Sequence, residues 1–297
     1  MVFAKYGEMK DSGIKWIDRI PKDWTIKRLQ YVVKDIISGP FGSSLKKESY
    51  VSKGFKIYGQ EQVISGDMTF GDYYITKEKF DQMRRFRIQS NDILVSCVGT
   101  FGKILLVPKN IEDGVINPRL IKISISQNHI LPEFLYVYLQ SSVVFAQLDE
   151  FSRGGTMDII NSSILSGILI LLPPITEQKQ IVNFLNEKNK KIDNEISKNQ
   201  KLIKLLQEQR QSTINHAVTK GLDDSVPMKY SGIEWIGEIP VHWNVKRLKY
   251  FVSFNSGYAF KSKDFIEDGI PLIKIGSLYQ NKFDLTRSSS FLPNKFF

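Results

Sequence analysis

The chain has 297 residues, 42% hydrophobic and 24% charged, so it is longer than one average domain, can bury a core and is not wholesale disordered. A lone cysteine (Cys97) excludes an internal disulfide framework and a cysteine-rich zinc module and fits a reducing cytoplasm, and three scattered histidines (His129, His216, His242) exclude a histidine metal cage. The formal charge of +10 is spread along the chain rather than gathered in a tail, which favours a polyanion as partner; a mildly basic, solvated surface is the plainer alternative.

Along the chain, Met1–Glu8 hold no apolar core of signal-peptide length. Residues 9–33, MKDSGIKWIDRIPKDWTIKRLQYVV, follow. They combine a Ser-Gly turn, an apolar Trp-Ile plug, an extended Ile-Pro stop and a second Trp. The segment closes on Lys27-Arg28-Leu29 and reads as a docking strap. Residues 34–172 read as mixed α/β. Strands are predicted at Phe55–Tyr58, Arg85–Ile88, Asp92–Val98, Ile104–Val107, Leu120–Ile125 and Ile168–Leu172, separated by glycine-rich turns, with one amphipathic helix over Pro132–Leu148. The most apolar stretch, Ile164–Leu172, is about nine residues, against the roughly 20 that a bilayer crossing needs. It reads as a buried strand stopped by Pro173-Pro174.

Cations gather at several of these places. In Arg84-Arg85-Phe86-Arg87-Ile88 the alternation sets Arg85 and Arg87 on one strand face and Phe86 and Ile88 on the other. Arginine can grip phosphate or read guanine bidentately; a solvated strand face is the alternative. Lys46 and Lys47 follow the Gly39–Ser43 turn, and Lys103 and Arg119 flank strands. Arg153-Gly154-Gly155-Thr156 can bring backbone amides close to a phosphate, or be a plain tight turn.

After Pro-Pro, Thr176 is the predicted N-cap of a helix that runs without Pro or Gly to about Thr219 and stops at Gly221. Ile181, Leu185, Ile192, Ile196, Ile203, Leu206, Ile214 and Ala217 form a stripe of imperfect heptads, a coiled-coil seam. A helix this long with one apolar stripe needs a partner: a second helix, or else its own globular domain. Residues 228–252, MKYSGIEWIGEIPVHWNVKRLKYFV, then repeat the strap at an offset of 219 residues, with 15 of 25 positions identical. That period is too long for a solenoid and marks duplication of a whole domain with its connector. The expectation is a first domain over 1–175, a long helix over 176–221, and a second strap opening an incomplete second domain over 222–297. Met9 aligns with Met228, so either Met1 or Met9 reads as the start.

Enzyme templates fail. Gly99-Thr100-Phe101-Gly102-Lys103 lacks the spacer of a phosphate loop and has Ile104 where Ser or Thr would hold magnesium. Asn117-Pro118-Arg119-Leu120 lacks the second proline and the aromatic of an amino-methyltransferase signature. No glycine-rich dinucleotide fingerprint opens a helix, and no nucleophile-base grouping stands out.

The chain resembles the specificity subunits of type I restriction–modification systems. The matching marks are the duplicated strap (Ser12–Leu29 and Ser231–Leu248), Gly39–Ser43, Val98–Lys103, Pro132–Tyr136, Gly154–Thr156, Leu172–Ile181 and Ser256–Lys261. The resemblance implies mixed-sheet (α/β, α+β) target-recognition domains, each reading half of a bipartite DNA site, joined by long antiparallel helices. It implies docking surfaces for methyltransferase and restriction subunits, with S-adenosylmethionine, ATP and magnesium on those partners and no cofactor or active site on this chain. With a second helix missing, the seam is expected to find another copy of the chain, giving a dimer; a silent, recombining gene fragment is the other expectation. The competing classes are a coiled-coil protein adaptor without a DNA role and a self-contained nuclease.

Overall fold

A computed structural model of the chain describes residues 6–15, 17–41, 44–97, 103–126, 129–152, 160–279, 282–284 and 290–294. Two compact units result, Met1–Lys201 and Leu202–Phe297.

The first unit opens with an antiparallel hairpin, β1 (Met9–Ile14) and β2 (Ile17–Pro21), followed by β3 (Thr25–Arg28) and β4 (Asp35–Ser38). Then come β5 (Phe55–Tyr58), α1 (Gln60–Ser65), β6 (Tyr74–Ile75), α2 (Lys77–Gln82), β7 (Ile93–Ser96), β8 (Ile104–Leu106), β9 (Gly114–Ile116) and β10 (Leu120–Ser124). Helices α3 (Pro132–Leu139), α4 (Ser142–Ser152) and α5 (Ser162–Gly167) lead to β11 (Leu169–Leu172) and α6 (Ile175–Lys220). The main sheet is antiparallel in the order β4-β10-β7-β8; a smaller sheet, β6-β5-β9, contains a parallel β5/β9 pair; β11 pairs with β3.

Strand alternation explains the two cores that flank the main sheet. Ile93 and Val95 of β7 and Ile121 and Ile123 of β10 pack with Phe134, Leu135, Val144, Leu148 and Leu165 of the helices, and with Leu29 and Val32 beside β3. Leu94 and Leu120, of opposite parity, pack with Tyr58, Val63 and Ile116 of the smaller sheet and α1.

Three expectations need correction. Arg85–Ile88 is not a strand: Arg84–Phe86 is a 3-10 turn, and Arg87 makes a single bridge to Val115. Phe86 and Ile88 still point inward, so the apolar alternation holds while the ladder does not. The helix over Pro132–Leu148 breaks at Gln140–Ser141, where the Gln140 N–H bonds to the Val137 carbonyl and Ser141 starts the next helix by accepting from Val144 and Phe145. Thr176 is not the N-cap: α6 begins at Ile175, and the Pro174 carbonyl accepts the N–H groups of Glu177 and Gln178.

The 46 residues of α6 extend about 69 Å at 1.5 Å per residue. Gly221 ends the helix at φ +86°, a conformation that glycine adopts without strain. Among the described residues no helix is long and apolar enough to cross a membrane.

In the second unit the repeated strap folds as the first does. β12 (Met228–Tyr230) pairs with β13 (Glu238–Pro240) in the register of β1 with β2. Among the described residues beyond Lys201, Ile239, Pro240 and Leu292 are the buried apolar side chains.

Candidate nucleic-acid interface

Two basic clefts form in the first unit. One, of about 460 Å³, is lined by Lys34, Arg84, Arg85, Arg87 and Lys122, with Asp35 and Asp92 among them. The pairing of β4 with β10 carries Asp35 opposite Ser124 and so brings Lys34 to the arginines. Arg84 and Arg85 are exposed. Arg87 is not: its guanidinium lies 3.8 Å from the Phe80 ring centroid, donates to the Phe80 carbonyl and forms a 2.6 Å ion pair with Asp81.

Lys122 underlies this turn. It sits mid-strand in an aliphatic run, 6% exposed, and its ammonium donates to the carbonyls of Arg85 (3.1 Å) and Arg87 (2.5 Å). Burial pushes its pKa down, against the pull of the Asp92 and Asp35 carboxylates. Burial likewise pushes Asp92 up, although its carboxylate accepts the Gln89 N–H at 2.8 Å. The cleft is therefore a turn of exposed arginines tied to the sheet from beneath.

The second cleft, of about 380 Å³, is lined by Lys47, Tyr50, Glu61, Tyr73, Asn117, Pro118 and Arg119. The Tyr50 and Tyr73 rings lie 5.6 Å apart. Burial and the nearby Glu61 raise the Tyr50 pKa. The Asn117 side chain accepts the Arg119 N–H, and its backbone N–H bonds to Tyr58. Gly39 makes this approach possible, because a Cβ there would stand 1.9 Å from the Asn117 carbonyl oxygen.

The structure thus joins Arg84, Arg85 and Arg87 in one cleft and Lys47 with Arg119 in another. Lys46 and Lys103 are exposed but line neither. Arg153, Gly154, Gly155 and Thr156 lie outside the described residues, as do Val98–Gly102. Lys34, Lys122, Asp35 and Asp92 were not anticipated. A lone lysine inside Leu-Ile-Lys-Ile was the available signal, since an aliphatic strand rarely tolerates one without a dedicated acceptor. Among the described residues no group of three or more His, Cys, Asp or Glu is gathered as for a metal ion.

The start of α6 is a junction. Glu177 accepts the Trp24 indole N–H at 3.0 Å and the Tyr6 hydroxyl, and burial with this contact raises the Tyr6 pKa to about 12. Gln178 is fully buried; its side chain accepts from Leu131 N and donates to the carbonyls of His129 and Pro173. Of the seam, Ile181 packs on the core and Leu185 is half-buried. Ile192, Ile196, Ile203 and Leu206 are 55%, 49%, 57% and 53% exposed, so the seam beyond Leu185 is uncovered in the single chain.

The family model described as "Type I restriction modification DNA specificity domain" matches residues 21–207. The type I restriction enzyme MjaVIII specificity subunit of Methanocaldococcus jannaschii is 28% identical over 94% of this chain and 60% of its own length. The putative type I restriction enzyme MjaX specificity subunit of the same organism is 26% identical over 89% of this chain and 63% of its length. The chain therefore spans about three fifths of these curated relatives. A solved structure from work on complex assembly and conformational transition of the type I R-M system shares the fold, with a TM-score of 0.53, 18% identity, and coverage of 72% of this chain and 49% of that one.

Proposed function

Because the chain belongs to the family of type I restriction modification DNA specificity domains, we propose that it is a non-catalytic, sequence-specific reader of duplex DNA, the specificity subunit of a type I restriction–modification complex. The match over residues 21–207, which takes in both basic clefts, is the observation that carries this reading. In this reading 1–175 is a target-recognition domain for one half of a bipartite site, 176–221 a spacing rod, and 222–297 a second strap and the start of a second recognition domain. Exposed Arg84 and Arg85 suit phosphate oxygens or guanine edges in the major groove. Lys47 and Arg119 suit phosphates beside the Tyr50–Tyr73 pair.

The exposed stripe of α6 and the straps suit methyltransferase and restriction subunits, or a second copy of the chain along the seam. S-adenosylmethionine, ATP and magnesium belong in this reading to those partners and not to this chain, and the complex works in the cytoplasm. The test is methylation mapping in a host with and without the gene. Binding of the full chain with its methyltransferase subunit to cognate and random duplexes follows, over a range of salt. Preference for cognate DNA by several kcal/mol and a steep loss of affinity with salt are expected. Equal affinity for the two duplexes overturns the reading.

A further inference from the structure

The two basic clefts differ in what they offer a ligand besides charge. Among the described residues the 460 Å³ cleft has no aromatic side chain in its lining, whereas the 380 Å³ cleft holds the Tyr50 and Tyr73 rings 5.6 Å apart, with Tyr73 51% exposed. Lys47 and Arg119 in the same cleft are exposed, and Glu61 and Asn117 are half-buried.

The polar part of this cleft is built on the parallel pair. β5 and β9 run side by side with Tyr58 opposite Ile116, so the next residues, Gly59 and Asn117, leave the two strand ends together. The Asn117 N–H bonds to the Tyr58 carbonyl and carries the register one step further. Gly59 leads into α1, whose first turn holds Glu61. A Cβ on Gly59 would stand 2.6 Å from the Asn117 side-chain nitrogen and 2.6 and 2.8 Å from the two Glu61 carboxylate oxygens. The glycine is thus what lets an amide donor and a carboxylate acceptor converge on one point. The Asn117 side-chain oxygen is taken, since it accepts the Arg119 N–H at 2.9 Å. Among the described residues no hydrogen bond or ion pair engages the Asn117 side-chain nitrogen or the Glu61 carboxylate.

We propose that the second cleft holds a single unstacked nucleobase of the bound DNA. The base lies with its face on the tyrosine pair and its polar edge on the Asn117 amide and Glu61 carboxylate, and Lys47 and Arg119 take the adjoining phosphates. The inference rests on the DNA-reading function proposed above and deepens it. A base inside a duplex shows its edge in a groove but has both faces covered by its neighbours, so a ring platform adds nothing to its recognition. The free donor and acceptor are half-buried in a concavity, which a base enters only by leaving the stack. Each base carries an acceptor beside a donor on its pairing edge, and Asn117 with Glu61 supplies the complement that the base gives up on leaving its partner. The cost of unstacking is least for a base that is already unpaired, which sets the choice of probe.

The probe is a labelled duplex carrying one extra, unpaired adenosine, compared by fluorescence anisotropy with the same duplex fully paired. The full chain is used without other subunits, so that the base pocket detected is its own. Binding to the bulged duplex is expected to be about tenfold tighter, the scale of one stacked base. Tyr73→Ala removes the exposed platform. Asn117→Asp keeps the acceptor for the Arg119 N–H but sets a second carboxylate beside Glu61. Each should bring the two affinities within about twofold of one another, with circular dichroism checking the fold. Arg85→Ala should weaken binding to both duplexes and preserve their ratio, because its cleft has no platform. Equal affinity of the unaltered chain for bulged and paired duplex, or a preference that survives both cleft substitutions, overturns the inference and leaves the DNA reading standing. Displacement of the bulged duplex by micromolar adenosine 5′-monophosphate would make a free nucleotide the ligand and overturn it as well. Absence of binding to either duplex refutes the DNA reading and the inference with it.

Discussion

Replacing Lys122 by Met separates a residue that positions the arginine turn from one that touches DNA. Methionine keeps the length of the stem in the core while removing the ammonium and its hydrogen bonds to the carbonyls of Arg85 and Arg87. Hydrogen bonds from a charged donor contribute about 1.5–3 kcal/mol each. Part of that is offset because the variant no longer buries a cation, so a net loss of about 2 kcal/mol is expected. Urea unfolding reads the stability. Anisotropy on cognate duplex is expected to show roughly tenfold weaker binding, the equivalent of about 1.4 kcal/mol, as the turn loosens. The slope of log affinity against log salt should stay unchanged, because the Lys122 amine faces carbonyl oxygens from inside the sheet. Arg84→Ala, at an exposed position, should instead lower that slope by about 1. A slope that falls in Lys122→Met, or a variant with wild-type stability and affinity, would refute the positioning role.

Gly39→Ala drives a Cβ to within 1.9 Å of the Asn117 carbonyl oxygen, and a loss of about 2–3 kcal/mol by chemical denaturation is expected, with weaker DNA binding through the second cleft. Gln178→Leu leaves the Leu131 N–H and the His129 and Pro173 carbonyls without their partner; about 3 kcal/mol is expected to be lost, with faster hydrogen exchange at Leu131 as the local reading. Burial holds the Tyr138 hydroxyl at a pKa of about 12, so the folded chain keeps this proton longer than the unfolded one. The stability it contributes, about 2–3 kcal/mol, is intact below pH about 10 and is lost as pH climbs towards 12; Tyr138→Phe should flatten that alkaline decline in thermal melts.

Strand β5 over Phe55–Tyr58 and the end of α6 at Gly221 follow from sequence, because an aliphatic-aromatic run between turns and a glycine after a long Pro-free stretch each have one reading. The run Arg85–Ile88 has two. Its alternation buries Phe86 and Ile88 equally well from a strand or from a 3-10 turn followed by one extended step, and only the hydrogen bonds tell them apart. The arginines were legible as a cluster because they are contiguous. Lys34 joins them only through β4–β10 pairing, and Lys47 meets Arg119 only through a turn that Gly39 lets approach, both long-range facts that local pattern does not carry. Arg87 shows the opposite failure, a cation that composition marks as a contact and that Phe80 and Asp81 engage.

Among the described residues two lysines are buried, and each donates to loop backbone. Lys56, 1% exposed in β5, donates to the Thr69 carbonyl and pairs with Glu112 at 3.2 Å, as Lys122 donates to the carbonyls of Arg85 and Arg87. A buried ammonium costs more than a leucine of similar volume, but it ties an irregular segment to a sheet without regular secondary structure. Because both acceptors of Lys122 are carbonyls, its tie does not depend on which side chains the arginine turn displays. Arg85→Gln should therefore change the duplex sequence preferred while leaving stability within about 0.5 kcal/mol of wild type. Competition among duplexes varied by one base pair reads the first quantity and urea unfolding the second. A large stability loss with unchanged preference would mean that the Arg85 side chain, and not its carbonyl, is what holds the turn.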